Sequence, residues 1–240
     1  MIARSLETNK GFARWIVGPL GEKPMKKTAM ALGALLLATS TAWAETCPNP
    51  SAPIVEVVLP AINMVTESAD NVAAKAPWPK TMETSLGPGW TINGLTLVRP
   101  LVTTQLHTVD RKVGREACVQ ASKAVLTFSF AEPARIYISG KYAPDSCEYK
   151  AILNHEHQHV GIHLNTRAAY SPILRKKVRE AISSGARGAT PEEASGRLQA
   201  KLSAAIDESI REFQSITAHH NGLIDTTESY LTLQANCASW

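Results

Sequence analysis

The chain lacks any stretch apolar enough to cross a bilayer as a helix. Its clearest apolar run, Ala29–Ala38, is about half the ~20 residues a span requires. It also lacks internal repeats and low-complexity tracts, so the roughly two hundred residues beyond that run fit one domain with a single core. An excess of charge is missing too. Of 25 Lys/Arg and 21 Asp/Glu, six bases and two acids fall in Met1–Ala44, which leaves nineteen of each and a formal net charge of zero. Nothing in that balance argues for a nucleic-acid partner or an anionic membrane surface. The densest basic cluster, Arg175-Lys176-Lys177 with Arg179, has helical spacing and reads as a solvated face.

What is present begins with a targeting pattern. Met25-Lys26-Lys27, the run Ala29–Ala38 and Ala42-Trp43-Ala44 before Glu45 form the n-region, h-region and cleavage site of a secretory signal peptide. The mature chain is expected to span 45–240, with Met25 as the start; a long n-region from Met1 is the competing reading. Cys47 follows Glu45 and Thr46 rather than a lipobox, so no lipid anchor is expected, and the location is periplasmic or secreted. Cys47, Cys118, Cys147 and Cys237 suggest two disulfides in an exported protein. Three connectivities are open; the expected one joins Cys118 to Cys147 and Cys47 to Cys237.

The remaining pattern predicts an α+β fold, with a strand-rich first half packed on helices. Residues 52–71 are apolar and ambiguous between strand and helix, and turns fall at Ala76-Pro77-Trp78-Pro79 and Gly87-Pro88-Gly89. Strands are expected at 90–98, 101–109, 119–130 and 136–139. From Asp145, an N-cap with Glu148 three residues on, the chain reads as helix to about Tyr170. Ser171-Pro172 then starts a second helix, which Gly185 closes, and Thr190-Pro191-Glu192-Glu193 starts another. The stripe Leu198, Leu202, Ile206, Ile210, Phe213, Ile216 marks the apolar face of that last helix.

Inside the first helix lies His155-Glu156-His157-Gln158-His159, an H-E-x-x-H sequence. Residues four apart share a helix face, so His155 and His159 can offer two imidazole nitrogens to one Zn2+. Glu156, next to them, is placed to take a proton from water activated there, the general base of a metal-assisted hydrolysis. The expected activity is that of a zinc metallopeptidase acting on a protein or peptide, with the backbone edge of Arg135–Ser139 holding the substrate extended. Two rivals are a non-catalytic zinc or copper buffer and an envelope scaffold. His155, His157, His159 and His163 within nine residues suit a buffer, which has no use for Glu156.

Ser146-Cys147-Glu148-Tyr149 running into the H-E-x-x-H segment resembles the predicted secreted zinc-dependent proteases, bacterial envelope proteins grouped with the zincins. The resemblance implies a zincin-like fold and a Tyr-Asp-x-x-Thr-x-His-Gly stretch some sixty residues on. Phe213–His220 keeps Thr217 and His219 of that stretch and departs at its Tyr, Asp and Gly. Catalytic zinc takes a third protein ligand. His219 is the first choice, followed by His220, with Glu212, Asp225 and Glu228 as carboxylate candidates. His163 lies ~12 Å along a straight helix from His155 and ligates only if the helix breaks at Gly161.

Overall fold

The computed structural model describes residues 47–48, 52–75, 91–131 and 133–240. The signal-peptide reading, Trp90 and the two turn clusters between 76 and 89 lie outside the described residues. The architecture is α+β, with most strands in the first half and the helices in the second. In chain order the elements are β1 (Ile54–Val58), β2 (Met64–Ala69), β3 (Gly94–Leu97), β4 (Pro100–Val113), β5 (Glu116–Phe130), β6 (Ala134–Ser139), α1 (Cys147–Ser183), β7 (Ala186–Gly188), α2 (Pro191–Ile224) and α3 (Thr227–Ala235). The ambiguous apolar segment is therefore two strands, each finding a parallel partner.

Two sheets result. One has the order β1-β5-β4, with β7 also on β5, and the other β2-β6-β3. Strict alternation along β5 sends Ala124, Leu126, Phe128 and Phe130 to one face. There they pack with Tyr170, Leu174, Val178 and Ile182 of α1 and with Leu198, Leu202 and Phe213 of α2. The first half of α1 packs on the smaller sheet, where Ile136 and Ile138 of β6 meet Ile152 and Val160. One long helix thus spans both sheets. β6 is not an edge: β2 flanks it over Ala134–Ser139 and β3 pairs with it over 135–138. The expected substrate edge at Arg135–Ser139 is therefore corrected, because that backbone is already hydrogen-bonded on both sides. The margin beside α1 belongs to β3, which among the described residues pairs only with β6.

α1 departs from expectation at both ends. Its N-cap is Ser146 rather than Asp145, with the Ser146 hydroxyl accepting from the Tyr149 N–H at 3.1 Å. It also runs unbroken through Pro172 for 37 residues. Proline cannot donate to the Ala168 carbonyl, but the Ser171 hydroxyl does so at 3.1 Å, and Pro172 itself is exposed. The orphaned acceptor is satisfied and the ring is exposed to solvent, so no break is forced. The helix stops where Gly185 takes φ 62°. Gly185 also admits no side chain, since a Cβ there would lie 2.7 Å from the Val119 carbonyl and 2.9 Å from Cys47 Sγ. α2 starts as expected: Thr190 caps the Glu193 N–H and Pro191 follows.

Both disulfides form with a different pairing, Cys47–Cys118 and Cys147–Cys237, each with Cα atoms 5.7 Å apart. The reason is the length of α1, about 55 Å at 1.5 Å per residue. Cys118 pairs in register with Arg187 of β7, just beyond the C-terminus of α1, whereas Cys147 begins the helix. They are a helix length apart. The chain end instead returns through α3 to the start of α1, where Cys237 meets Cys147. Disulfides of this kind belong to oxidising compartments. Among the described residues, no helix is long and apolar enough to cross a membrane.

Candidate metal centre

α2 returns antiparallel along α1, and its register decides which groups meet the motif. Lys201 lies beside Ser184, Glu212 beside Tyr170, His220 beside Thr166, Asn221 beside His159 and Asp225 beside His155. Each step forward on one helix is a step back on the other. His155 and His159 are both buried, and Asp225, the C-cap of α2, faces them. His155 Nε2 and His159 Nε2 are 3.2 Å apart, and Asp225 Oδ1 is 3.1 Å from each. Three ligands at ~2.0 Å from a tetrahedral metal are about 3.3 Å apart. The triangle of two nitrogens and one carboxylate oxygen matches three corners of such a site, and this cluster can hold a metal ion.

Neighbouring groups orient those ligands. The Asn221 side-chain oxygen is 3.0 Å from His159 Nδ1, where it accepts the ring N–H and leaves Nε2 free to ligate. Tyr230 of α3 donates its hydroxyl to Asp225 Oδ1 at 2.7 Å, and its ring lies 5.3 Å from that of His155. Burial pushes the Asp225 carboxyl up, but its bonds with His155 and His159 outweigh this and hold it below the usual carboxylate range. Burial likewise pulls the His159 imidazole down, while the hydrogen bond that its ring donates to Asp225 raises it to a net increase. The Cys147–Cys237 bridge secures the segment after α3 to the start of the motif helix.

Glu156 is 5 % exposed and lies against β3. Burial raises its pKa, opposed by the nearby His159 and by a hydrogen bond from Thr96. Thr96 donates to Glu156 Oε2 at 2.8 Å, its hydroxyl also lying 3.0 Å from the Glu156 carbonyl. β3 approaches this closely because of Gly94: a Cβ there would stand 2.4 Å from Glu156 Oε1 and 2.6 Å from Ile152 Cγ2. The result is a buried carboxylate of raised pKa, held in one orientation next to the two imidazoles.

The other histidines separate from the pair. His219 is exposed, its ring 5.8 Å from that of His220, and neither belongs to the cluster. On a helix of 3.6 residues per turn, Phe213, Thr217 and Asn221 share the face toward α1, and His219 lies two residues, about 200°, off it. The third position that His219 was expected to fill is taken by Asp225, one of the carboxylate candidates. His157 is exposed. His163 sits between Phe130 and Phe213 with Nδ1 buried and unpartnered among the described residues, and burial depresses its pKa to about 4. α1 is continuous through Gly161, so His163 stays a full two turns from His155. Glu212 is committed to Tyr170 and Lys177, at 2.7 and 2.5 Å. Asn221, Tyr230, Thr96 and Gly94 carried no recognised signal in the sequence. The pair Asn221/Asp225, spaced four apart at the end of the Phe213–Thr217 face, is the one that helical periodicity was able to reveal. Comparison with family models, with curated proteins and with solved structures finds no match, so the centre stands on its own geometry.

Proposed function

We propose that this chain is an exported zinc-dependent peptidase with a zincin-like arrangement of helix and edge strand, acting on an envelope protein or a cell-wall peptide. The observation that carries the reading is the triangle of His155 Nε2, His159 Nε2 and Asp225 Oδ1 with the buried carboxylate of Glu156 beside it. Zinc held by these three residues supplies Lewis acidity, which acidifies water and polarises a carbonyl. The protein supplies the rest. Glu156, whose burial makes it a stronger base than a solvated glutamate, accepts the water proton and returns it to the leaving amine. Thr96 holds its carboxylate in place, and Asn221 and Tyr230 hold His159 and Asp225. An extended peptide pairs with the margin of β3, the strand against Glu156.

The same two-histidine, one-carboxylate set also holds Fe(II) in oxygenases. Glu156 favours hydrolysis, because an oxygenase has no need of a buried general base. A metal buffer is disfavoured by the scattering of His157 and His163 away from the pair. The test is metal analysis of the exported protein with a proteomic cleavage screen, wild type against Glu156→Gln. Zinc retained in both, with cleavage only in the wild type, is the expected result. Equal cleavage by the variant, or iron as the tightly bound ion, refutes the reading.

A further inference from the structure

A cavity of about 60 Å³ opens between β3, α1 and α3, and His155, Glu156 and Tyr230 are among the residues that line it. Ile92, Ile152 and Leu233 supply its apolar lining, and Gly94 lines it with backbone. One water occupies 10–15 Å³ by this kind of measure, so the space holds roughly four to six waters, enough for a branched aliphatic side chain. Among the described residues, no Lys, Arg or Asp lines it. Glu156 is the only carboxylate among the described residues that line it, and the Tyr230 hydroxyl is already donated to Asp225. An acidic side chain entering here meets Glu156 without a compensating cation. A basic one pairs with Glu156 and takes it out of use as a base. An uncharged aliphatic group does neither and displaces water from the apolar lining.

We infer that this cavity is the specificity subsite of the centre, and that it takes a branched aliphatic side chain next to the bond being broken. The inference rests on the peptidase reading above and names the class of substrate residue that reading leaves open. Its position follows from the elements that build the centre. Ile152 lies one turn before Glu156 on α1, Gly94 precedes Thr96 on β3 by two, and Leu233 follows Tyr230 by three on α3. A peptide paired with β3 sends alternate side chains to the α1 side, where this cavity is.

The test uses two sets of probes on the full chain. In the zinc-loaded protein, 4-methylpentanohydroxamate is compared by calorimetry with acetohydroxamate, succinic monohydroxamate and 6-aminohexanohydroxamate. The branched compound is expected to bind at least about tenfold tighter than the acetyl compound, the scale of filling an apolar pocket. In Leu233→Arg the ratio should fall to about one and the acidic probe should become the best of the four. Leu233→Ala, the milder variant, should shift the preference toward a phenylalkyl probe. A wild-type ratio near one, or a preference for a charged probe, overturns the inference. In the metal-free protein, 4-methylpentanamide and acetamide are titrated while side-chain methyl resonances are followed. Shifts at Ile92, Ile152 and Leu233 with the branched amide alone are expected, and their absence overturns the subsite. If no hydroxamate binds while the amide shifts those methyls, the metal reading fails and the cavity assignment stands.

Discussion

Asp225→Ala should remove most of the metal affinity, whereas His219→Ala should leave it unchanged. Asp225 Oδ1 closes the triangle at 3.1 Å from each imidazole nitrogen, and His219 lies on the outer face of α2. Apparent binding energies of ~10–16 kcal/mol for four-ligand structural zinc correspond to about 2.5–4 kcal/mol per ligand, or a loss of roughly 10²–10³-fold in affinity. Asp225→Asn keeps the shape and loses the charge, so it should fall between wild type and alanine. Asn221→Ala leaves the ligands and frees only the His159 ring, and should cost about 10–100-fold. Competition against a chromophoric chelator at fixed pH gives all four numbers. If His219→Ala weakens binding and Asp225→Ala does not, the antiparallel register that brings Asp225 to the motif is wrong.

Metal affinity should fall as pH falls, because acceptance of a hydrogen bond by Asp225 keeps the His159 pKa above its ordinary value and a proton competes for Nε2 from that higher pH downward. The loss approaches about tenfold per pH unit below the raised pKa; chelator competition between about pH 5 and 8 measures it, and a flat profile contradicts the geometry. Gly94→Ala places a Cβ 2.4 Å from Glu156 Oε1, so it should destabilise the fold by about 1–3 kcal/mol and depress hydrolysis further by displacing the base. Thermal unfolding beside a peptide-cleavage assay separates the two effects. Cys237→Ser should cost about 2–4 kcal/mol of stability and also weaken metal binding, since the bridge tethers the segment that follows Tyr230. Cys47→Ser, at the far end of α1, should lower stability alone; equal metal affinity in both variants counts against that division.

Features that rest on local periodicity were legible in the chain. The alternation that makes β5, the capping at Thr190, the glycine stop at Gly185 and the i, i+4 pairing of His155 with His159 each depend on residues within a turn or two of one another. Such patterns are written into the chain because backbone geometry alone sets them. Even there, one hydroxyl altered the outcome: Ser171 satisfied the Ala168 carbonyl, and Pro172 did not break α1. Contacts between distant segments were set by how the elements pack. The disulfide partners followed from a 37-residue helix that holds Cys118 and Cys147 at opposite ends. The third position of the metal triangle followed from the register of α2 on α1, in which two residues along the helix turn a side chain from the site to the solvent. The strand that faces Glu156 followed from sheet order, which buries β6 and leaves β3 at the margin. Each depends on contacts between residues 60 to 90 apart in the sequence, and no local pattern encodes the register in which such segments meet.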